Sequence, residues 1–200
     1  AGLDLVLAVI LIIGGRVLPF FIQRGLNQNM QKRSALVEKL LPFALAIYLA
    51  LNFFAPYSAI TAAYLVVFGL LLTLNLITWH QAGLWKNSLL WTLYIAYAFI
   101  GLGFFLTAAG KLGGVSFYMG FHSFAVGGIG LLTLIMMCRV GLGHTGRVLR
   151  TAKTTQVALV LMLAAAIMRV FVAEVQPIMA YKASAGLFML SLLLFLVIYL

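Results

Sequence analysis

The chain has 200 residues, 65% of them hydrophobic and 8% charged, with a mean hydropathy of +1.17 and a formal net charge of +10. A water-soluble domain carries roughly a quarter of its residues as charged groups, so this composition excludes one and makes lipid the main solvent. A single cysteine, Cys138, excludes an intrachain disulfide and any multi-cysteine zinc or iron–sulfur centre.

A bilayer core of about 30 Å needs about 20 apolar residues per helix. Seven runs qualify, at roughly 3–22, 36–54, 58–78, 89–109, 117–138, 154–173 and 185–200. Each must be helical, because backbone groups in lipid have to be satisfied within their own segment. The first run lacks a basic start and a small-residue cleavage site, so it reads as a span and not a leader. Inside it, Gly14-Gly15 and Pro19 are expected to bend the helix while Arg16 snorkels toward the cytoplasm. Pro56 is expected in the turn after the second run. The third closes on Trp79-His80 with Trp85 nearby, aromatics that usually anchor at the interface, which makes His80 a solvated interface residue. The polar stretch Pro177–Ser184 is expected to be a turn before a short last run. No repeat or low-complexity segment divides the chain. The expectation is one all-α, polytopic transmembrane helix bundle over residues 1–200, itself a fragment of a longer membrane protein.

Charge placement sets an orientation. Alternate connections hold Arg24, Lys32, Arg33 and Lys39, then Lys86, then Arg139, Arg147, Arg150 and Lys153; the intervening ones hold only Lys111 and Lys182. The richer side is expected to be cytoplasmic, with the amino terminus outside. The excess positive charge is thereby a topological feature. Nucleic acid is excluded as a partner, since no reading surface accompanies the charge.

Few residues in such a chain can carry chemistry. His122 falls about a turn and a half into the fifth run, and an imidazole at membrane depth marks function by default, as a ligand for haem iron or copper. The competing reading is a histidine bonded to a neighbouring helix. Helical spacing groups it with Met119, Val126, Ile129 and Thr133. A second stripe, Gly120, Ser123, Gly127 and Gly130, would let a helix or a flat macrocycle approach closely. Arg169, near the outer end of the sixth run, needs a partner such as a haem propionate, lipid phosphate or Glu174. His144 lies 22 residues beyond His122, about 30 Å along a helix, so the two cannot share a metal. It sits in Gly141-Leu142-Gly143-His144-Thr145-Gly146-Arg147. That segment is either a turn whose N–H groups and Arg147 hold an anion or a helix cap. Asp4, Glu38 and Glu174 lie near helix ends, which excludes a buried carboxylate relay and a Ser-His-Asp arrangement.

The stretch from His122 to Arg147, HSFAVGGIGLLTLIMMCRVGLGHTGR, resembles the signature of the NnrS family of bacterial membrane proteins. Gly15-Arg16-Val17-Leu18-Pro19-Phe20-Phe21 is similar to that family's Gly-Arg-x-x-Pro-Phe-Phe segment. The resemblance covers nearly all of the chain, as the later part of a longer family member. It implies an inner-membrane protein holding haem and copper and linked to the nitric oxide response. It also implies His122 as a metal ligand, with His122, Arg169, Arg16, Arg139, His144 and Arg147 as the candidate cofactor contacts. Two positions depart from the pattern. Tyr94 stands where a histidine is often found, and Cys138 stands where a threonine usually precedes Arg139. The family's Trp-x-x-His-Glu-type helix is not in these residues, so those earlier helices are expected partners and the source of a second ligand. The rival functions are a small-solute transporter, for which Gly14-Gly15, Pro19 and the Gly101/Gly103 region would break helices, and a structural subunit without cofactor.

Overall fold

The computed structural model describes residues 2–27, 35–146 and 151–199, which are mostly helical, with no strand among the described residues. In chain order the helices are α1 (Gly2–Leu26), α2 (Ala35–Phe54), α3 (Ala59–Thr78), α4 (Ser88–Lys111), α5 (Phe117–His144), α6 (Lys153–Val170) and α7 (Pro177–Tyr199). Six of them are long and apolar enough to cross a membrane; α2 offers only the shorter apolar run Lys39–Phe54. The chain is an all-helical, multi-pass membrane protein.

The helix breaks that a transporter reading would call for are absent. Helix α1 runs unbroken through Gly14, Gly15 and Pro19, and α4 runs unbroken through Gly101 and Gly103. At these positions glycine serves packing instead. Gly14 lies against the Tyr97 ring, and Gly103 accepts the Phe124 ring so closely that a Cβ there would stand 2.5 Å from it. The last span is longer than expected, because Pro177 starts α7 where a turn was anticipated. The first helical turn is the place where a missing N–H costs nothing and a fixed φ helps.

Side-chain caps set the starts of α3, α4 and α5. Ser58 Oγ accepts the Thr61 N–H at 3.0 Å, Asn87 Oδ1 the Leu89 N–H at 3.0 Å, and Ser116 Oγ the Tyr118 N–H at 3.3 Å. At the other end of α5, Gly146 adopts φ +64 and closes the helix after His144. Residues 141–144 are thus the last turn of α5, while Arg147, the cation of the expected anion turn, lies outside the described residues. A helix C-terminus presents carbonyls, the negative end of its dipole, to whatever lies beyond.

An aromatic ladder joins the bundle. Tyr48 of α2 stacks on Phe68 of α3 at 5.7 Å; Phe68 meets Phe104 of α4 edge-on at 4.8 Å; Phe104 meets Phe124 of α5 at 4.9 Å. Tyr48 also donates its hydroxyl to the Asp4 carboxylate of α1. Helices α6 and α7 are joined by hydroxyls over small residues, with Ser184 Oγ donating to Ala165 O at 2.9 Å and Ser191 Oγ to Ala158 O at 2.7 Å.

Helix α5 presses hardest on α4. A Cβ on Gly127 would fall 2.3 Å from the Phe99 ring and one on Gly128 would fall 2.6 Å from Ile100 Cγ1, while buried Ser123 donates to the Phe99 carbonyl at 2.7 Å. Replacing Ser123 with alanine is expected to lower stability by only about 0.6 kcal/mol, the usual worth of such a bond between membrane helices. A thermal-aggregation midpoint within about 2 °C of the parent's would show it.

Candidate functional site

His122 occupies a special point on α5. Immediately after it, Ser123–Gly130 winds as a π-helix, after which α-helical winding resumes at Leu131. A π segment widens the helix and turns the following residues out of α-helical register, and such segments recur at functional sites. It has a visible effect here. The expected small-residue stripe holds for Gly120, Ser123 and Gly127, which face α4, but fails at Gly130, whose neighbours are Met162 of α6 and Phe188 of α7. Met119 turns into the core and packs there.

The imidazole itself faces α6 and α7. Its ring lies 5.7 Å from that of Tyr181 on α7, edge to face, and 6.4 and 5.8 Å from Tyr118 and Phe121 of its own helix. No hydrogen bond to either ring nitrogen is present among the described residues. On the Tyr181 ring also rests the Arg169 guanidinium, with Cζ 4.3 Å from the centroid. His122 and Arg169 therefore share one aromatic neighbour and lie within electrostatic reach of each other.

Arg169 is incompletely satisfied. Its Nε is buried without a hydrogen-bond partner, and no carboxylate pairs with it among the described residues. Glu174, the expected alternative, instead accepts the Ser116 backbone N–H at 3.1 Å. That bond ties the start of α5 to the connection between α6 and α7, which holds His122 beside Arg169 and Tyr181. Beyond these groups the surface is apolar and open, with Tyr118, Phe121, Ile178 and Tyr181 all exposed.

The other candidate contacts lie elsewhere. Arg16 lines a cavity formed with α2 and α3. Arg139 packs over the Phe21 ring, 3.9 Å from its centroid. His144 is exposed at the far end of α5, and Arg147 lies outside the described residues. His80 forms an aromatic trio with Trp85 and Tyr94, at 6.2 and 5.7 Å. Trp79, expected as an interfacial anchor, is instead buried in the core against Tyr97 at 5.0 Å, leaving Trp85 exposed at that end. Cys138 is free and fully buried, in keeping with a packing role. No group of three or more His, Cys, Asp or Glu residues gathers among the described residues.

What the site can do follows from its donors. One imidazole whose nitrogens make no hydrogen bond among the described residues suits a single bond to a metal. One guanidinium with an orphaned Nε suits a carboxylate, and the exposed rings suit a flat apolar body. These residues fit a haem. A copper centre built on several donors would need groups beyond the described residues. Tyr181 and the π segment were not anticipated. The glycines at 127, 128 and 130 were the visible trace of the second, and Tyr181 was hidden in a stretch read as a turn.

Comparison with known families matches residues 1–200 to the family described as NnrS protein. Comparisons with curated proteins and with solved structures gave no match. The chain belongs to the NnrS family.

Proposed function

We propose that this member of the NnrS family is a haem-binding protein of the bacterial inner membrane that serves the nitric oxide response, with His122 as the residue that would hold the haem iron. The observation that carries this reading is the unengaged imidazole of His122 beside the unpaired Arg169, both on the ring of Tyr181. An imidazole left in an oily setting without a protein partner is costly unless it has a ligand. A bound haem would supply an iron position able to hold a small diatomic molecule such as nitric oxide. The chain's own contributions are binding and exclusion. His122 would hold the iron through its lone pair, Arg169 would pair with a propionate, and Tyr118, Phe121 and Tyr181 would cover apolar faces and keep water away. Copper, also implied by the family, would take its further donors from outside the described residues. Binding in the service of sensing or protection is the reading we favour over turnover, since the neighbours of His122 among the described residues are aromatic rings and one guanidinium, with no carboxylate among them. The basic ends of the helices would face the cytoplasm.

The test is optical and metal analysis of the purified full-length protein, in which a haem band and bound iron are expected. A colourless, iron-free protein obtained under gentle conditions from haem-replete cells would overturn the reading. Arg169 gives a second check. Arg169→Gln is expected to weaken haem retention about tenfold, as loss of a supporting contact to a metal group does, and Arg169→Lys is expected to weaken it less because it keeps the charge. Haem transfer to apomyoglobin would measure both. Equal retention in all three proteins would remove Arg169 from the site.

A further inference from the structure

A cavity of about 540 Å³ lies between α1, α2 and α3, lined by none of the residues around His122. That is within the usual size of a small-ligand site. Its polar lining comes from Arg16, Lys39 and Asn75, and its apolar lining includes Leu11, Leu41 and Leu45. Asn75 is 3% exposed, and its side-chain amide makes no hydrogen bond among the described residues. Neither cation forms an ion pair among them. Gly15 helps to line the space, and a Cβ there would find only Leu41 Cδ2, at 3.6 Å.

We propose that this cavity is a binding site for an anionic glycerophospholipid, whose phosphate is held by Arg16, Lys39 and Asn75 and whose acyl portion lies along Leu11, Leu41 and Leu45. The chemistry of the lining selects the class. Two unpaired cations and a buried amide call for an oxyanion. The depth selects an amphiphile over a soluble anion. Lys39 is four residues from the start of α2 and Asn75 three from the end of α3, so both sit within about 6 Å of the helix ends on the basic side. Arg16 is ten residues from the end of α1, about 15 Å from that end. Below Lys39 and Asn75 the rest of the lining, apart from Arg16, is Leu11, Ile12, Gly15, Leu41, Pro42 and Leu45, which suits an acyl chain and offers a soluble anion nothing. A lipid of the same leaflet enters sideways, past Ile12, which is half exposed on the outer face of α1. Basic pockets between membrane helices hold lipid headgroups on these terms. The site is independent of the haem reading, since none of Tyr118, His122, Arg169 or Tyr181 lines it, and each can fail without the other.

The experiment is native mass spectrometry of the full-length protein in detergent, with added dioleoyl phosphatidylglycerol. One lipid is expected to stay bound per chain, and an excess of inorganic phosphate is expected not to displace it. The double change Arg16→Gln with Lys39→Gln should weaken retention by about thirtyfold, given the usual worth of two basic residues at an anionic headgroup. Gly15→Leu, which narrows the cavity and keeps both cations, should also weaken it. Lys86→Gln, an exposed cation at the same end but off the cavity, should change nothing. The charge-preserving pair Arg16→Lys with Lys39→Arg separates lost charge from a lost fold and should retain the lipid. Four results would each overturn the proposal: full retention after the double glutamine change, an equal loss with Lys86→Gln, no effect of Gly15→Leu, or displacement by inorganic phosphate.

Discussion

Replacing His122 with alanine is expected to remove the haem absorption band of the purified full-length protein, with bound iron falling about tenfold or more. His80→Ala and His144→Ala are expected to leave both near the parental level. The three histidines differ in what surrounds them. His80 is exposed and lies among Trp85 and Tyr94 near the start of α4. His144 is exposed on the last turn of α5, about 30 Å along the helix from His122. His122 alone is half-buried among aromatic rings, with no hydrogen bond among the described residues and an unpaired arginine beside it. His122→Gln keeps a polar side chain but offers iron a poor donor, so it should behave as the alanine variant does. A folded His122→Ala protein with an undiminished band would assign the axial bond elsewhere and leave the family relationship without a ligand in this part of the chain.

The helices were legible because each is a long apolar run, and in lipid such a run has one way to satisfy its backbone. His122 and Arg169 were legible for a related reason: ionisable groups at membrane depth stand out against leucine. Their common neighbour was not. Tyr181 follows Pro177 in a polar stretch, and composition there points to a turn, whereas a proline in the first helical turn starts α7. Trp79 was misplaced by a similar inference. Position near a helix end usually puts tryptophan at the interface, but the close approach of α3 to α4 buries it against Tyr97. The π segment was illegible in detail, because a stripe of small residues at spacings of three and four assumes α-helical winding throughout. Gly130 shows where that assumption ends.

Gly120→Ala is expected to cost about 3 kcal/mol, at the upper end for overpacking, and to lower the thermal-aggregation midpoint by about 10 °C. A Cβ on Gly120 would stand 2.2 Å from Thr107 Oγ1, 2.8 Å from the Thr107 nitrogen and 3.0 Å from its Cα. The hydroxyl can rotate away, giving up its 2.7 Å bond to the Gly103 carbonyl. The backbone of α4 cannot, so α5 has to move as a body. Thr107→Ala should therefore rescue Gly120→Ala only in part. Gly186→Ala is the matched control, since its Cβ would meet nothing within 4 Å and glycine-to-alanine inside a helix ordinarily stabilises. The expected order of midpoints is Gly186→Ala, parent, the double variant, then Gly120→Ala. Gly120 lies two positions before His122, so a displaced α5 should also loosen the haem contact and lower retention in step with the midpoint. A Gly120→Ala protein as stable as the parent would mean that α4 and α5 do not approach so closely, and the placement of His122 against Tyr181 and Arg169 would lose its structural support.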